Sequence, residues 1–260
     1  MTDHVAAALA AARDVGLPVD DPVVIDGAAN LFVHLRPAPV LARVTVTLDR
    51  GPAALEAELA FARAAAERGA PVVPPADDRV HGNVTFWQYV EHRRPEPGDA
   101  EAIGRALRKL HDAMRDADLE LVRFDRLDEA ETVASSQLML DAIAFARERL
   151  ASLVLTEQPI HGDAHMRNVL MTADGPLWAD LENVCRGPVE YDLACAQWRT
   201  KVHGRDGGAS VLDGYGHHDA ALVEQLMPIL AAFLVPWNVK MAGPDDPFVR
   251  QRIDYLKTFV

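Results

Sequence analysis

The spacing of apolar and polar positions divides the chain in two. Asn30 to Arg36 and Val40 to Leu48 are rich in apolar and β-branched residues, and Pro37-Ala38-Pro39 between them predicts a turn joining two adjacent strands. After Gly51-Pro52 the run Ala53 to Arg68, built from Ala, Leu, Glu and Arg, predicts a helix that stops at Gly69. Val80 to Glu91 predicts a further strand pair, turned at His81-Gly82-Asn83 and ending in Phe86-Trp87-Gln88-Tyr89-Val90. Ahead of these, the apolar stretch Val5 to Ala12 reads as a short helix and not as a signal peptide, since it has no basic leader.

His92 to Gly98 is polar, proline-rich and charged, the composition of a hinge between compact units. Beyond it, helical patterns fall at Asp99 to Met114, Leu127 to Leu153, Val189 to His203, His217 to Leu234 and Pro247 to Phe259. Pro159 to Val184 has strand character broken by Gly162 and Asp174-Gly175. The expected architecture is α+β in two lobes. Residues 1–91 form an antiparallel sheet with one packed helix, and residues 92–260 form a larger, mainly helical lobe with one short β insertion.

Composition narrows the class without fixing it. The 260 residues are 49% hydrophobic and 25% charged, which excludes disorder, collagen and disulfide scaffolds, and no uninterrupted apolar run approaches the roughly 18 residues of a membrane helix. With 26 basic against 39 acidic residues the net charge is −13, which repels a phosphate backbone and argues against nucleic acid as partner. The same charge favours small cations at long range. Cys185 and Cys195 belong to no CxxC pair, so both read as small buried hydrophobes in a reducing cytoplasm.

The chemistry is concentrated in Ile160-His161-Gly162-Asp163-Ala164-His165-Met166-Arg167-Asn168-Val169-Leu170. Asp180 follows in Leu177-Trp178-Ala179-Asp180-Leu181-Glu182, and the turn Ala173-Asp174-Gly175-Pro176 folds the intervening strands into a hairpin. That fold-back gathers Asp163, Asn168 and Asp180 around one point. Phosphoryl transfer needs such a set: one carboxylate to meet an acceptor hydroxyl, with an amide oxygen and a second carboxylate to hold magnesium against the phosphates.

The pattern His161-Gly162-Asp163-x-His165-x-x-Asn168, the Asp180 segment and Gly187-Pro188-x-x-Tyr191-Asp192-Leu193-Ala194 together resemble the aminoglycoside phosphotransferase family, whose members share the protein-kinase-like fold. The resemblance implies that Asp163 is the catalytic base, that Asn168 and Asp180 bind Mg2+, that Asp192 is a structural aspartate behind the loop and that His161 braces it. It also implies a strand-borne cation on the nucleotide phosphates, paired with a helix carboxylate. No lysine precedes Lys109, so Arg43 takes that place, with Glu58 as its partner and Glu56 as the rival. The segment Gln88 to Glu91 is then the linker whose backbone, at Gln88 and Val90, reads the base of ATP or GTP. A glycine-rich phosphate loop is missing, because Asp26-Gly27-Ala28-Ala29-Asn30 holds one glycine.

Several residues keep two readings. Glu182 is a second metal ligand or a solvated strand residue, and His165 and Arg167 contact the transferred phosphoryl group or simply solvate a loop. His217-His218 reads as surface. Asp206, Asp213, Asp219 and Glu224 line an acceptor pocket or face solvent. The leading expectation is a kinase moving the γ-phosphoryl of ATP or GTP to a hydroxyl of a small molecule, an aminoglycoside-like or other hydroxylated antibiotic, with the −13 charge agreeing with a cationic acceptor. The alternatives are a kinase of a choline-like or amino-sugar metabolite, a catalytically silent nucleotide-binding module, and a metal-dependent hydrolase using His161, Asp163 and His165 as ligands.

Overall fold

The structure, a computed structural model, describes residues 2–26, 30–46, 51–204 and 207–260. β2 (Asn30–Pro37) and β3 (Val40–Thr45) form the expected hairpin, with Phe32 opposite Arg43 and Leu31 opposite Val44. Leu48 lies outside the described residues. β1 (Val19–Asp26) and β4 (Val84–Gln88) flank the hairpin in the antiparallel order β1-β2-β3-β4. β1 escaped the sequence because Asp20-Asp21-Pro22 interrupts its apolar pattern, which an edge strand tolerates. The strand pair expected over 80–91 is one strand. His81-Gly82-Asn83 closes a tight turn, His81 N–H donating to the Val84 carbonyl at 2.9 Å, and β4 pairs with β3 instead.

Two helices serve this sheet where one was expected. α1 (Thr2–Asp14) joins a small core in which Ala8, Ala11 and Ala12 meet Leu31, Val33, Leu35 and Phe86. α2 (Pro52–Glu67) places Leu59, Ala62 and Ala65 in the larger core that also holds Trp178 and Leu181.

In the second lobe α3 (Ala100–Met114) buries the stripe Ile103, Leu107, Leu110 and Met114. The single helix expected over 127–153 is two, α4 (Leu127–Val133) and α5 (Gln137–Ala151), because Ser136 caps the second by accepting from Met139 N–H. α6 spans Val189–His203 as expected, and α7 (Gly208–Tyr215) was not foreseen. Its glycine-rich sequence is a poor helix former, yet it packs backbone to backbone on α3. A Cβ on Gly104 would stand 2.0 Å from the Val211 carbonyl oxygen, and one on Gly214 would stand 2.2 Å from that of Glu101. α8 (Ala220–Ala242) starts at its cap Asp219 and continues past Leu234 through Pro236. By length and composition it is apolar enough to cross a membrane, but it packs against α4, α5, α6 and α9 (Pro247–Leu256) as a core helix.

Two short hairpin-like pairs complete the lobe: β5 (Gln158–Ile160) with β8 (Cys185–Gly187), and β6 (Val169–Thr172) with β7 (Gly175–Trp178). The β6–β7 hairpin is also the floor on which the first lobe rests. Val73 N–H donates to the Trp178 carbonyl and Trp178 N–H to that of Pro71, both at 2.8 Å.

Candidate active site

The β6–β7 hairpin sets the spacing of the site. Its register places Val169 opposite Trp178, and one bond beyond it Ala179 N–H donates to the Asn168 carbonyl at 2.8 Å, so Asn168 and Asp180 leave the hairpin side by side. Asp180 has φ of 57°, and among the described residues it is the one non-glycine in the left-handed region, a strained backbone that an aspartate tolerates better than most. Asn168 Nδ2 donates to the Asp163 carbonyl at 3.0 Å and to Asp163 Oδ2 at 3.2 Å. Its Oδ1 therefore turns away from Asp163.

The loop bearing Asp163 is tied down from behind. Asp192, fully buried on α6, accepts from the backbone N–H groups of His161 at 2.9 Å and Gly162 at 2.8 Å, and from His111 Nε2 at 2.9 Å. His111 Nδ1 in turn accepts from the Tyr215 hydroxyl at 2.9 Å. His161 is also buried, and burial lowers its pKa, so the ring is neutral. Nε2–H donates to the Ala179 carbonyl at 3.0 Å, and Nδ1 accepts from Asp163 N–H at 3.3 Å. Gly162 has φ of 79° and sits so close to Asn183 that a Cβ would lie 2.0 Å from that carbonyl oxygen.

Across the interlobe cleft, Arg43 on β3 and Glu58 on α2 form a buried two-pronged ion pair, Nη1 to Oε1 at 2.5 Å and Nη2 to Oε2. Burial alone would lower the Arg43 pKa, and Glu58 more than offsets it. Glu56, the rival, is exposed. Arg43, Glu58, Gln88, Val90, Asn168 and Asp180 all line one cavity of about 270 Å³, with apolar walls from Phe32, Leu41 and Leu170. Among the described residues the Val90 N–H has no hydrogen-bond partner, while its carbonyl accepts from His92 Nδ1 at 2.8 Å. The one-glycine segment 27–29 lies outside the described residues. Asp163 opens instead on an adjoining cavity, with Arg167 common to both.

The donor set fits a magnesium ion. Asn168 Oδ1 and the Asp180 carboxylate are hard oxygens, and two protein ligands suit an ion that keeps waters and takes substrate phosphates. Asp180 opens to the cleft but is ringed by protein. Desolvation, then the negative charges of Glu182 and Asp163, push its pKa up to about 7, against the pull of Arg43. A cation between these carboxylates would relieve that repulsion. Glu182 Oε2 accepts from Asn30 Nδ2 at 3.2 Å, a bond between the lobes.

Residues 23–233 match the phosphotransferase enzyme family. The chain belongs to this family. The phosphotransferase also has the expected two-lobed, protein-kinase-like fold of small-molecule kinases. It superposes on a choline/ethanolamine kinase family protein from Mesorhizobium loti at 19% identity and TM-score 0.74, covering 99% of this chain and 94% of that one. An amicoumacin kinase in complex with AMP-PNP, Ca2+ and Ami matches at 13% identity and TM-score 0.75, with 98% and 96% covered. An ADP-bound aminoglycoside phosphotransferase matches at 13% and 0.65, with 96% of each chain covered. No curated protein sequence matches the phosphotransferase significantly.

The hydrolase alternative loses one of its three ligands, because both ring nitrogens of His161 are engaged internally. Among the described residues no three His, Cys, Asp or Glu side chains are grouped to hold a metal. Of the acids expected after 200, the described ones do not line the cavity at Asp163: Asp219 caps α8, Glu224 pairs with Lys201 at 2.8 Å and Asp213 is exposed, while Asp206 lies outside the described residues. That cavity is lined by Arg199 and Arg252, which the sequence did not mark, and by Cys195. His111 and Tyr215 were also missed, since a histidine in the last turn of an amphipathic helix carries no local sign of the carboxylate it meets.

Proposed function

We propose that this small-molecule kinase moves the γ-phosphoryl group of ATP or GTP to a hydroxyl of a small acceptor, with residues 1–91 holding the nucleotide and residues 92–260 the catalytic loop and the acceptor. The observation that carries the reading is the placement of Asp163 and Asn168 in one hydrogen-bonded pair, beside Asp180, at the junction of two cavities. An aminoglycoside-like or other hydroxylated antibiotic and a choline-like metabolite are both acceptors of this class, and the reading places the enzyme in the cytoplasm, where nucleoside triphosphates are made.

Asp163 acts as the base. Its carboxylate receives the acceptor's hydroxyl proton as that oxygen bonds to the γ-phosphorus, the bond from the γ-phosphorus to the bridging oxygen breaks, and the nucleoside diphosphate leaves. Asn168 orients Asp163 through Nδ2 and, with Asp180, would hold Mg2+, which supplies charge neutralisation on the phosphates. Arg43, fixed by Glu58, offers the phosphates a positive charge that needs no reorganisation. The backbone at Gln88 and Val90 meets the base, and Phe32, Leu41 and Leu170 give it apolar faces. His165 Nε2 stands 3.7 Å from Asp163 Oδ2, and Arg167 lies at the edge shared by both cavities, so both are placed to meet the moving phosphoryl group. Incubating the protein with Mg2+, ATP and a panel of hydroxylated small molecules, and reading products by mass, tests the reading. It predicts a mass gain of one phosphoryl group on at least one acceptor, and product formation slowed about a hundredfold or more with Asp163→Asn.

A further inference from the structure

The cavity onto which Asp163 opens has a volume of about 200 Å³ and lies between the catalytic loop, α6, α8 and α9. Among its described lining residues Asp163 is the sole acid, against Arg167, Arg199 and Arg252. Arg252, half-buried on α9, donates through Nη1 to Asn238 Oδ1 and through Nε to His203 Nε2 at 3.2 Å. The acceptors are an amide oxygen and a ring nitrogen, and no carboxylate lies within ion-pair distance of Arg252 among the described residues. Arg199 has a partner of its own, so Arg252 is the group on which the reading turns. Desolvation first, then the charge of Arg199, lower the Arg252 pKa; Asp246 pulls the other way, ahead of the further lowering by Arg167 and the opposing pull of Asp163, and the net shift stays downward. Among the described residues the indole nitrogen of Trp198, buried in the same wall, has no hydrogen-bond partner.

A polycation entering this cavity would bring ammonium groups against guanidinium groups where the protein excludes much of the screening water, which is costly at contact distance. The net charge of −13 belongs to the whole surface and is screened beyond about 8 Å at physiological salt. At contact the lining decides.

Resting on the kinase reading above, we propose that the acceptor is a small hydroxylated anion whose carboxylate or phosphate is held by Arg252, in the positive field of Arg199, with its hydroxyl at Asp163. This replaces the cationic acceptor that the net charge favoured. A guanidinium suits the role because it binds a planar or tetrahedral oxyanion through two parallel N–H groups. Arg167 stays available for the phosphoryl group in transit.

The test uses the full chain and four probes of similar size: glycerate, glycerol 3-phosphate, glycerol and choline, titrated at constant ionic strength with tryptophan fluorescence as readout. Glycerate or glycerol 3-phosphate is expected to saturate at least tenfold more tightly than glycerol or choline, and whichever of the two binds better identifies the anion. Arg252→Met is expected to weaken that binding tenfold or more, and Arg252→Lys, which keeps the charge but loses the paired N–H groups, to weaken it less than Arg252→Met does; unfolding curves show that both variants are folded. Tighter binding of choline, no saturation by either anion at millimolar concentration, or unchanged binding by Arg252→Met would overturn the proposal. Magnesium-dependent ATP binding is measured on the same wild-type sample. If it is intact while the anions show no preference, this proposal alone falls; if it is absent, the kinase reading falls and takes the proposal with it.

Discussion

The backbone N–H of His161 donates to Oδ2 of Asp192 across 2.9 Å, linking residues 31 apart in the chain. With the Gly162 N–H and His111 Nε2 also on that carboxylate, the loop entering Asp163 hangs from one buried anion. Asp192→Asn turns an amide N–H2 toward groups that are themselves donors. It is expected to lower the unfolding free energy by about 2 kcal/mol in urea titration and to reduce kcat more than the KM for nucleotide.

Asp163→Asn keeps the shape of the base and removes its affinity for a proton. Transfer is expected to fall by about 10²–10⁴-fold, while nucleotide affinity stays within a small factor, because Asp163 faces the adjoining cavity and not the nucleotide cleft. Single-turnover transfer and equilibrium binding separate the two quantities.

Arg43 and Glu58 are both buried, so removing Glu58 takes away the bidentate partner of a buried guanidinium. Glu58→Ala is expected to cost about 3–5 kcal/mol of stability. Arg43→Lys keeps a charge but loses one of the two bonds to Glu58 and the forked presentation to phosphate, and its KM for ATP is expected to rise about tenfold or more. Thermal unfolding and steady-state kinetics check the pair.

Asp180 titrates near 7 in the free protein, against 3.8 for the unfolded chain. Between those values the folded form holds a proton that the unfolded form has lost, so this group withdraws stability as pH rises from about 4 to 7. A divalent cation must displace that proton below pH 7. Magnesium affinity in the presence of nucleotide is therefore expected to rise from pH 6 to pH 8 and then level off, and Asp180→Asn to flatten the profile; calorimetric titration at three pH values measures it.

The order His161, Gly162, Asp163, Asn168, Asp180 and Asp192 was legible because one short hairpin and one helix start fix their spacing locally, and α6 was legible to its ends. β1 was hidden by Asp20-Asp21-Pro22, whose polarity an edge position absorbs, and α7 by glycines that make sense only against the backbone of α3. Of the arginines beside Asp163, Arg167 was legible from its place in the same loop, whereas Arg199 and Arg252 come from α6 and α9, far from that loop in sequence, and carry no local pattern that announces the meeting.

The central claim is tested most directly by calorimetric titration of the Asp163→Asn protein with ATP and with GTP, each with and without magnesium. The account predicts one nucleotide bound per chain, dependent on magnesium and weakened sharply when Asp180→Ala is added. Failure to bind either nucleotide, or binding indifferent to magnesium and to Asp180, would contradict it.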